Sequence, residues 1–247
     1  MSRSALVIIP TYNERANIQV LVDGLMKHAG VRVLIVDDNS PDGTGALGEE
    51  LGRLHEGRVS VLHRTMNRGF GRSYIAGMTQ ALNEPVDFIC QMDADLSHDP
   101  AQLPDLLAAA ERADMVIGSR YVPGGKIVNW PLKRHILSRF ANAYIRTVTR
   151  VSAHDCTSGY RCWTRSALAS LPLDRFFSDG YSFLVEMLFV AHRRGCRIAE
   201  VPITFVERRA GESKVSRAVL MESAITPWRL ISSPESSRKA APSPPKP

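Results

Sequence analysis

The chain has 247 residues, 44% of them hydrophobic and 23% charged, so it can form an ordinary core in one large domain or two small ones. It contains no apolar run of about 18 residues, which predicts no membrane-spanning helix. Residues 1–10 lack the pattern of a secretion signal. The four cysteines are scattered without zinc-finger spacing, and we expect reduced thiols in a cytoplasmic protein.

The positive charge is concentrated in one segment. The net charge is +6, and residues 115–154 hold seven Lys or Arg but no Asp or Glu. A basic segment of this kind could bind nucleic acid, an anionic membrane or a phosphorylated substrate. It lacks the interleaved aromatic residues of a base-stacking platform, so we expect no nucleic-acid partner.

Strand and helix patterns alternate through the first half of the chain. Continuous apolar runs predict strands at residues 5–9, 33–36, 59–62 and 86–90, with helical spacing between them. This alternation predicts a parallel sheet with helices on both faces. Ligands of such sheets lie beyond the carboxyl ends of the strands. We therefore expect one cleft to be lined by the residues that follow strand ends, which are Tyr12, Glu14, Asp38, Asp93 and Asp95.

The sequence Asp93-Ala94-Asp95 comes shortly after the predicted strand 86–90. Side chains alternate along an extended segment, so the two carboxylates can converge on one point. Two like charges held together favour a cation between them, and Mg²⁺ or Mn²⁺ suits oxygen ligands. Taken alone, so short a motif more often marks a solvated acidic turn that caps a helix, and Pro100 suits a helix start.

The second half is less regular. We predict a helix at residues 103–113 and a strand at residues 115–118. The helix that follows Trp130 has an apolar half and a basic half, and it could lie on a membrane surface or pack on the protein's own core. Glu186 interrupts an apolar helix, and we expect it to have a partner or to line the cleft. His98 and His154 are expected in ordinary surface or capping roles.

The end of the chain changes in character. A strand is predicted at residues 197–205, followed by a charged loop and a helix at residues 219–231 that Pro227 breaks. Residues 232–247 are rich in Ser, Pro and Lys, and we expect a disordered tail there. Residues 1–231 would then form a single domain.

Five motifs occur in the order in which one family carries them. They are residues 7–14 (VIIPTYNE), 36–44 (VDDNSPDGT), 92–98 (MDADLSH), 118–121 (GSRY) and 211–214 (GESK). As a set they resemble the dolichol-phosphate mannosyltransferases, or polyprenol monophosphomannose synthases, which are inverting enzymes of glycosyltransferase family 2. The resemblance implies the α/β GT-A (Rossmann-like) fold, with a mixed, mostly parallel sheet, helices on both faces and amphipathic surface helices.

The same resemblance implies the substrates and the site. The donor would be GDP-mannose, the acceptor a polyprenyl (dolichyl) monophosphate, and the product β-linked. The nucleotide sugar would be held by Pro10, Tyr12, Glu14, Val36, Asp38, Asp93, Ala94, Asp95, Arg120, Arg208 and Lys214. Arg120, Arg134 and Ser138 would bind the acceptor phosphate. Asp93 and Asp95 would hold Mg²⁺ or Mn²⁺, with Ser97 where some members have a metal-binding Gln. Asp95 and Arg120 are the implied catalytic residues.

The larger family members carry transmembrane helices after the catalytic domain, where this sequence has a polar tail. The resemblance therefore implies a compact enzyme on the cytoplasmic face of a membrane. It would be bound peripherally by surface helices or held there by a separate membrane-anchoring protein.

Other functions remain open at this point. A transferase on the same scaffold could use UDP-glucose or UDP-N-acetylglucosamine, and a donor panel separates these sugars. A nucleic-acid-binding module and a catalytically inactive scaffold are rivals from other classes. The chain has neither a P-loop pattern nor a Gly-x-Gly-x-x-Gly after its first strand, which argues against a P-loop ATPase and a standard NAD enzyme.

Overall fold

A seven-stranded sheet in the order β3-β2-β1-β4-β7-β5-β8 forms the centre of the molecule. The computed structural model describes residues 4–207 and 217–232. The sheet contains β1 (Ala5–Thr11), β2 (Val31–Asp37), β3 (Val59–His63), β4 (Phe88–Gln91), β5 (Met115–Ser119), β7 (Arg161–Thr164) and β8 (Ile198–Pro202). A small second sheet pairs β6 (Lys126–Val128) with β9 (Thr204–Val206).

Helices cover both faces of the sheet, as predicted. They are α1 (Arg15–Met26), α2 (Thr44–Leu54), α3 (Phe70–Ala81), α4 (Leu103–Ala110), α5 (Leu132–Thr149), α6 (Arg165–Ala169), α7 (Gly180–Arg193) and α8 (Arg217–Ser232). The core cluster on one face contains side chains of α1, α2 and α4. The cluster on the other face contains side chains of α3, α5, α6, α7 and α8. No helix within residues 4–207 and 217–232 is long and apolar enough to cross a bilayer.

The apolar composition of β1 follows from its position between these two layers. Leu6 and Ile8 point into one cluster, whereas Val7 and Ile9 point into the other, and all are fully buried. Strands buried on both faces need apolar residues at every position, because neither set of side chains reaches water. The continuous run that predicted this strand therefore reflects its central place in the sheet.

Strand β7 makes the sheet mixed. It lies between β4 and β5 and runs antiparallel to both, whereas every other pair in the sheet is parallel. The amino end of β7 therefore lies at the same edge as the carboxyl ends of β4 and β5. Residues 155–160, which lead into β7, come to lie between the loops that carry Asp93 and Arg120.

Several predicted boundaries were wrong. The strand predicted at residues 86–90 starts at Phe88, and the helix predicted at residues 103–113 ends at Ala110. The strand predicted at residues 197–205 is two strands, because the chain leaves β8 after Pro202, buries Ile203 and joins the second sheet as β9. Strands β6 and β7 were not predicted, since each is too short to show a pattern.

Pro227 does not break the last helix. Helix α8 continues through it to Ser232, although a proline there removes one backbone donor. The helix packs on α5 and α7, and Leu230 is buried in the core. Tertiary packing thus outweighs the local cost. The predicted tail was residues 232–247; Ser232 is instead the last residue of α8, and residues 233–247 lie outside the described residues.

Candidate active site

The carboxylate pair lies in the loop that follows β4, at the carboxyl edge of the sheet. The hydroxyl of Tyr74 donates a hydrogen bond to Asp93 Oδ1 at 3.1 Å, and the backbone N–H of Ser97 donates to Asp95 Oδ1 at 3.0 Å. A Cβ atom on Gly159 would approach Asp93 Oδ2 to 2.9 Å, so only glycine leaves room for this carboxylate. The Tyr74 side chain on α3 and the backbone of Gly159 in the loop before β7 therefore fix the orientation of Asp93.

The two carboxylates influence each other. Desolvation, and next the charge of Asp95, raise the pKa of Asp93 from its ordinary value to about 7. Within residues 4–207 and 217–232, no three His, Cys, Asp or Glu side chains are grouped so as to hold a metal by themselves. A divalent cation that Asp93 and Asp95 hold would need further ligands from water or from a substrate. The carboxylates of Asp93 and Asp95 are close together and line a cavity, and this arrangement fits a divalent cation.

His98 does not have the surface role that we predicted. It is 1% exposed, and its Nδ1 accepts a hydrogen bond from the backbone N–H of Asp93 at 3.3 Å. Its ring stacks on Tyr160 and meets the edge of Phe205, with ring centroids 5.1 Å and 5.5 Å apart. Burial lowers the pKa of His98 to about 4, so the ring is neutral near pH 7 and holds the loop of Asp93. His154 is half exposed and pairs with Glu200 at 2.9 Å.

Arg120 follows β5 and is paired with a buried carboxylate. Asp155 Oδ2 accepts from the backbone N–H of Arg120 at 3.0 Å and from its Nε at 2.7 Å, and Asp155 Oδ1 accepts from Nη2 at 2.6 Å. Burial alone would lower the pKa of Arg120, but Asp155 outweighs it and raises that pKa. Aromatic rings of Tyr121, Trp130 and Phe205 surround the guanidinium at 5.3–5.5 Å.

Arg134 and Ser138 lie one turn apart on α5. Arg134 forms an ion pair with Glu207, which directly follows β9, and its guanidinium lies 4.2 Å from the ring centre of Trp130. Ser138 Oγ accepts a hydrogen bond from the hydroxyl of Tyr121 at 2.7 Å. Both cations that were predicted for the acceptor phosphate thus have carboxylate partners within the chain.

One cavity of about 290 Å³ joins these groups to an apolar groove. Its lining contains predicted site residues, namely Asp93, Asp95, Ser97, Arg120, Arg134 and Ser138. It also contains apolar side chains of α5 and α7 and residues of α8, including Leu137, Phe140, Ile145, Val185 and Ala224. The cavity therefore combines groups suited to phosphates and a divalent cation with apolar side chains suited to a hydrocarbon chain.

The predicted nucleoside residues lie at the neighbouring ends of β1 and β2, outside the lining of this cavity. Tyr12 is 41% exposed, and the guanidinium of Arg68 lies over its ring at 4.6 Å. Asp38 forms an ion pair with Arg64 and accepts from Ser73 Oγ at 2.7 Å. The side chain of Val36 is fully buried in the core, so only its backbone could reach a ligand.

The other residues predicted for the site are spread over several segments. Pro10 is half-buried at the end of β1, and Glu14 Oε2 accepts a hydrogen bond from Asn17 at 2.8 Å. Ala94 is buried between the two carboxylates of the loop. Arg208 and Lys214 lie outside the described residues. Glu186 has the partners that its burial predicted, since it accepts from the backbone N–H of Ser178 at 2.9 Å.

Sequence reasoning missed Tyr74, Asp155 and Glu207. Asp155 ends the acid-free stretch of residues 115–154, and this charge pattern is the one signal that could have found it. Glu207 and Tyr74 stand in segments whose patterns indicate a charged loop and a helix, and nothing in the sequence connects them to Arg134 or Asp93.

Comparison with known proteins bears on this geometry. The model of the family described as "Glycosyl transferase family 2" matches residues 6–171. The chain belongs to this family. Polyprenol monophosphomannose synthase of Mycolicibacterium smegmatis is 46% identical over 224 residues, which cover 90% of this chain and 84% of that protein. Undecaprenyl-phosphate mannosyltransferase of Micrococcus luteus is 46% identical over 229 residues, which cover 91% and 93%.

Solved structures of a glucosyl-3-phosphoglycerate synthase share the fold. Glucosyl-3-phosphoglycerate synthase from Mycobacterium tuberculosis, in complex with Mn²⁺, UDP and glucosyl-3-phosphoglycerate, superimposes with a TM-score of 0.61 at 20% identity. The match covers 93% of this chain and 78% of the synthase. The mixed, mostly parallel sheet with helices on both faces is thus the GT-A-like fold that the motifs predicted.

Proposed function

We propose that this glycosyltransferase moves mannose from GDP-mannose to a polyprenyl monophosphate and inverts the anomeric centre, giving a β-linked product. The cavity carries this proposal, because it connects the Asp93–Asp95 pair and two arginines to an apolar groove. An acceptor with a phosphate at the end of a hydrocarbon chain has the same two-part character. The names of the two relatives at 46% identity support the same acceptor class and the same sugar.

The reaction needs little acid–base chemistry from the protein. A phosphate oxygen of the acceptor attacks C1 of mannose, the bond from C1 to the diphosphate oxygen breaks, and its electron pair leaves with GDP. The nucleophile is already anionic near neutral pH, so no base must take a proton. The neutral, buried His98 agrees with this, because it is engaged with the backbone of Asp93.

The main barrier is electrostatic. Two unit charges about 4 Å apart repel by about 4 kcal/mol at a surface-like dielectric, so two phosphates need cations between them. Arg120 and Arg134 line the cavity and would bind the acceptor phosphate together with Ser138. Asp93 and Asp95 would hold Mg²⁺ or Mn²⁺, with Ser97 close to them, and the bound ion would neutralise the diphosphate as it leaves. Arg208 and Lys214 would add positive charge at the donor.

The protein docks peripherally on the cytoplasmic face of a membrane, where its lipid acceptor is found. Exposed apolar side chains lie on two packed helices and define a surface that we call the apolar face: Leu132, Ile136, Phe140, Ile225, Trp228 and Ile231. These side chains are 41–73% exposed, and the exposed cations Lys133 and Arg139 lie beside them on α5. Such a combination suits an interface with anionic lipids.

A direct assay tests the proposal. Purified protein is incubated with radiolabelled GDP-mannose, a polyprenyl phosphate and Mg²⁺, and the label is followed into the organic phase. We expect transfer with GDP-mannose and little with UDP-glucose or UDP-N-acetylglucosamine. Transfer from a UDP-sugar alone would keep the acceptor and correct the donor, and no transfer from any donor would contradict the proposal.

A further inference from the structure

Arg120 is held at both its backbone and its side chain by one carboxylate. Asp155 is 0% exposed, and it accepts hydrogen bonds from the backbone N–H, Nε and Nη2 of Arg120 at 2.6–3.0 Å. Nη2 also donates to Thr157 Oγ1 at 2.8 Å. Within residues 4–207 and 217–232, Nη1 is the side-chain nitrogen of Arg120 that makes no hydrogen bond. The guanidinium thus has one fixed edge and one edge available to a ligand.

Asp155 is itself held in place. Glu200 Oε1 accepts from the backbone N–H of Asp155 at 2.9 Å, and Glu200 Oε2 accepts from that of His154 at 2.7 Å. Asn142 Oδ1 accepts from the backbone N–H of Cys156 at 2.7 Å. Asn142 is part of α5, which also carries Arg134 and Ser138. The loop of Asp155 is therefore tied to β8 on one side and to the predicted acceptor-binding helix on the other.

The contacts between Asp155 and Arg120 also affect the charges around the carboxylate pair. Asp93 and Asp95 line the same cavity as Arg120, and the charge of Arg120 lowers the pKa of Asp93. A guanidinium without Asp155 would be free to turn toward these carboxylates and to compete with a cation for them. Donors that are fixed before the substrate binds stabilise developing charge without the cost of reorienting.

We infer that Asp155 is a positioning residue for sugar transfer: it fixes Arg120 so that Nη1 faces the acceptor phosphate and so that the guanidinium stays away from Asp93 and Asp95. This inference rests on the proposed function. The competing explanation is that the pair only stabilises the fold, since removing one partner of a buried ion pair strongly destabilises a protein.

The chain offers a matched control in a second pair of the same geometry. Asp114 accepts from the backbone N–H, Nε and Nη2 of Arg197 at 2.8–3.1 Å, with the same oxygens in the same roles, but Arg197 is exposed and the pair lies outside the cavity. Asp155→Asn and Asp114→Asn therefore remove the same negative charge and one acceptor oxygen from matched arginine pairs inside and outside the site.

The experiment measures kcat, the KM of a polyprenyl phosphate and the melting temperature of each variant. We expect Asp155→Asn to lower kcat at least about tenfold and to raise the acceptor KM. Asp114→Asn should keep both within about twofold. Arg120→Gln combined with Asp155→Asn should be no slower than Arg120→Gln alone, because Asp155 acts through Arg120.

Unchanged turnover of a folded Asp155→Asn variant would overturn the inference. The inference would also fail if the double variant lost as much kcat as the product of the losses in the two single variants. If Asp155→Asn does not fold, Thr157→Val decides, since it removes the hydroxyl that accepts from Nη2 at 2.8 Å and leaves the carboxylate of Asp155 in place. A slower and equally stable Thr157→Val variant supports the inference, and an unaffected one overturns it. A wild-type protein that makes no mannosyl lipid would instead remove the proposed function on which the inference rests.

Discussion

The charged side chains of the site differ in their ion-pair partners. Within residues 4–207 and 217–232, Asp93 and Asp95 form no ion pair, whereas Arg120 and Arg134 each pair with a carboxylate. The carboxylate of Asp155 is fully buried, but the side chain of Glu207 is 25% exposed. An exposed pair is weak and easily exchanged, while a buried one is kept. The two arginines should therefore differ in how readily they accept a substrate phosphate.

Asp95→Asn should abolish transfer while the protein stays folded. The substitution keeps the shape of the side chain but removes one of the two negative charges that attract a divalent cation, so we expect a loss of about a hundredfold or more in kcat. Mn²⁺ affinity, measured by electron paramagnetic resonance in the presence of GDP, should fall in parallel. Asp99→Asn, an exposed residue of the same loop, is the control and should keep its activity. Turnover of Asp95→Asn like that of the wild type would refute the metal role.

Arg134→Ala and Glu207→Gln should act in opposite directions on the lipid acceptor. Loss of Arg134 removes a cation from the acceptor site, and we expect the KM of the polyprenyl phosphate to rise about tenfold, with a smaller effect on GDP-mannose. Loss of the Glu207 charge frees Arg134 from its competitor, so that the acceptor KM should fall. Steady-state kinetics with each substrate varied in turn gives both numbers. An unchanged lipid dependence in Arg134→Ala would exclude Arg134 from the acceptor site.

At the scale of the element, α5 has a buried end and an end with exposed apolar side chains. Ile145, near its carboxyl end, is buried in the core, whereas Leu132, Ile136 and Phe140 toward its amino end are 60–73% exposed. Helix α8 lies beside it, since Trp228 Nε1 donates to the hydroxyl of Tyr144 at 2.8 Å and that hydroxyl donates to the carbonyl of Ala224 at 2.7 Å. The carboxyl end of α5 thus packs in the core, and the amino end contributes exposed side chains to the apolar face.

Substitutions in the apolar face should weaken binding to membranes. We expect Phe140→Ser combined with Trp228→Ser to lower the fraction of protein that sediments with anionic lipid vesicles several-fold, because each aromatic ring contributes apolar area to the interface. Val20→Ser on α1 is the matched control, since Val20 is 60% exposed on another helix. Binding should also fall with added salt if Lys133 and Arg139 contribute. Equal sedimentation of the double variant and the control would contradict the docking proposal.

At the scale of the whole molecule, the sequence predicted the sheet better than it predicted the site. The alternation through β4 was sufficient for a parallel sheet, because buried central strands have a continuous apolar pattern. It could not reveal the antiparallel β7, whose four residues follow a polar loop. The motifs placed Asp93 and Asp95 correctly at the strand ends, but the partners Asp155 and Glu207 come from distant segments that only the tertiary fold brings to the cavity.

Removal of residues 233–247 should leave the domain intact. The described core ends with α8 at Ser232, and Leu230 is the last residue that contributes to it. We propose that residues 1–231 form a single domain, and we expect a chain that stops after Ser232 to unfold within about 2 °C of the full-length protein. Differential scanning calorimetry measures this, with a chain that stops before α8 as the destabilised control. A large loss of stability in the first truncation would show that the domain extends further.

The insertion of β7 also affects how the protein can fold while it is being made. Until Arg161–Thr164 has been synthesised, β4 has no neighbour on one side, and β5 cannot pair with β4 because β7 separates them. A nascent chain of about 150 residues would therefore present an open apolar strand edge, a form prone to aggregation. Emergence of the next few dozen residues from the ribosome closes that edge, so translation and chaperone binding near this point should govern the yield of native protein.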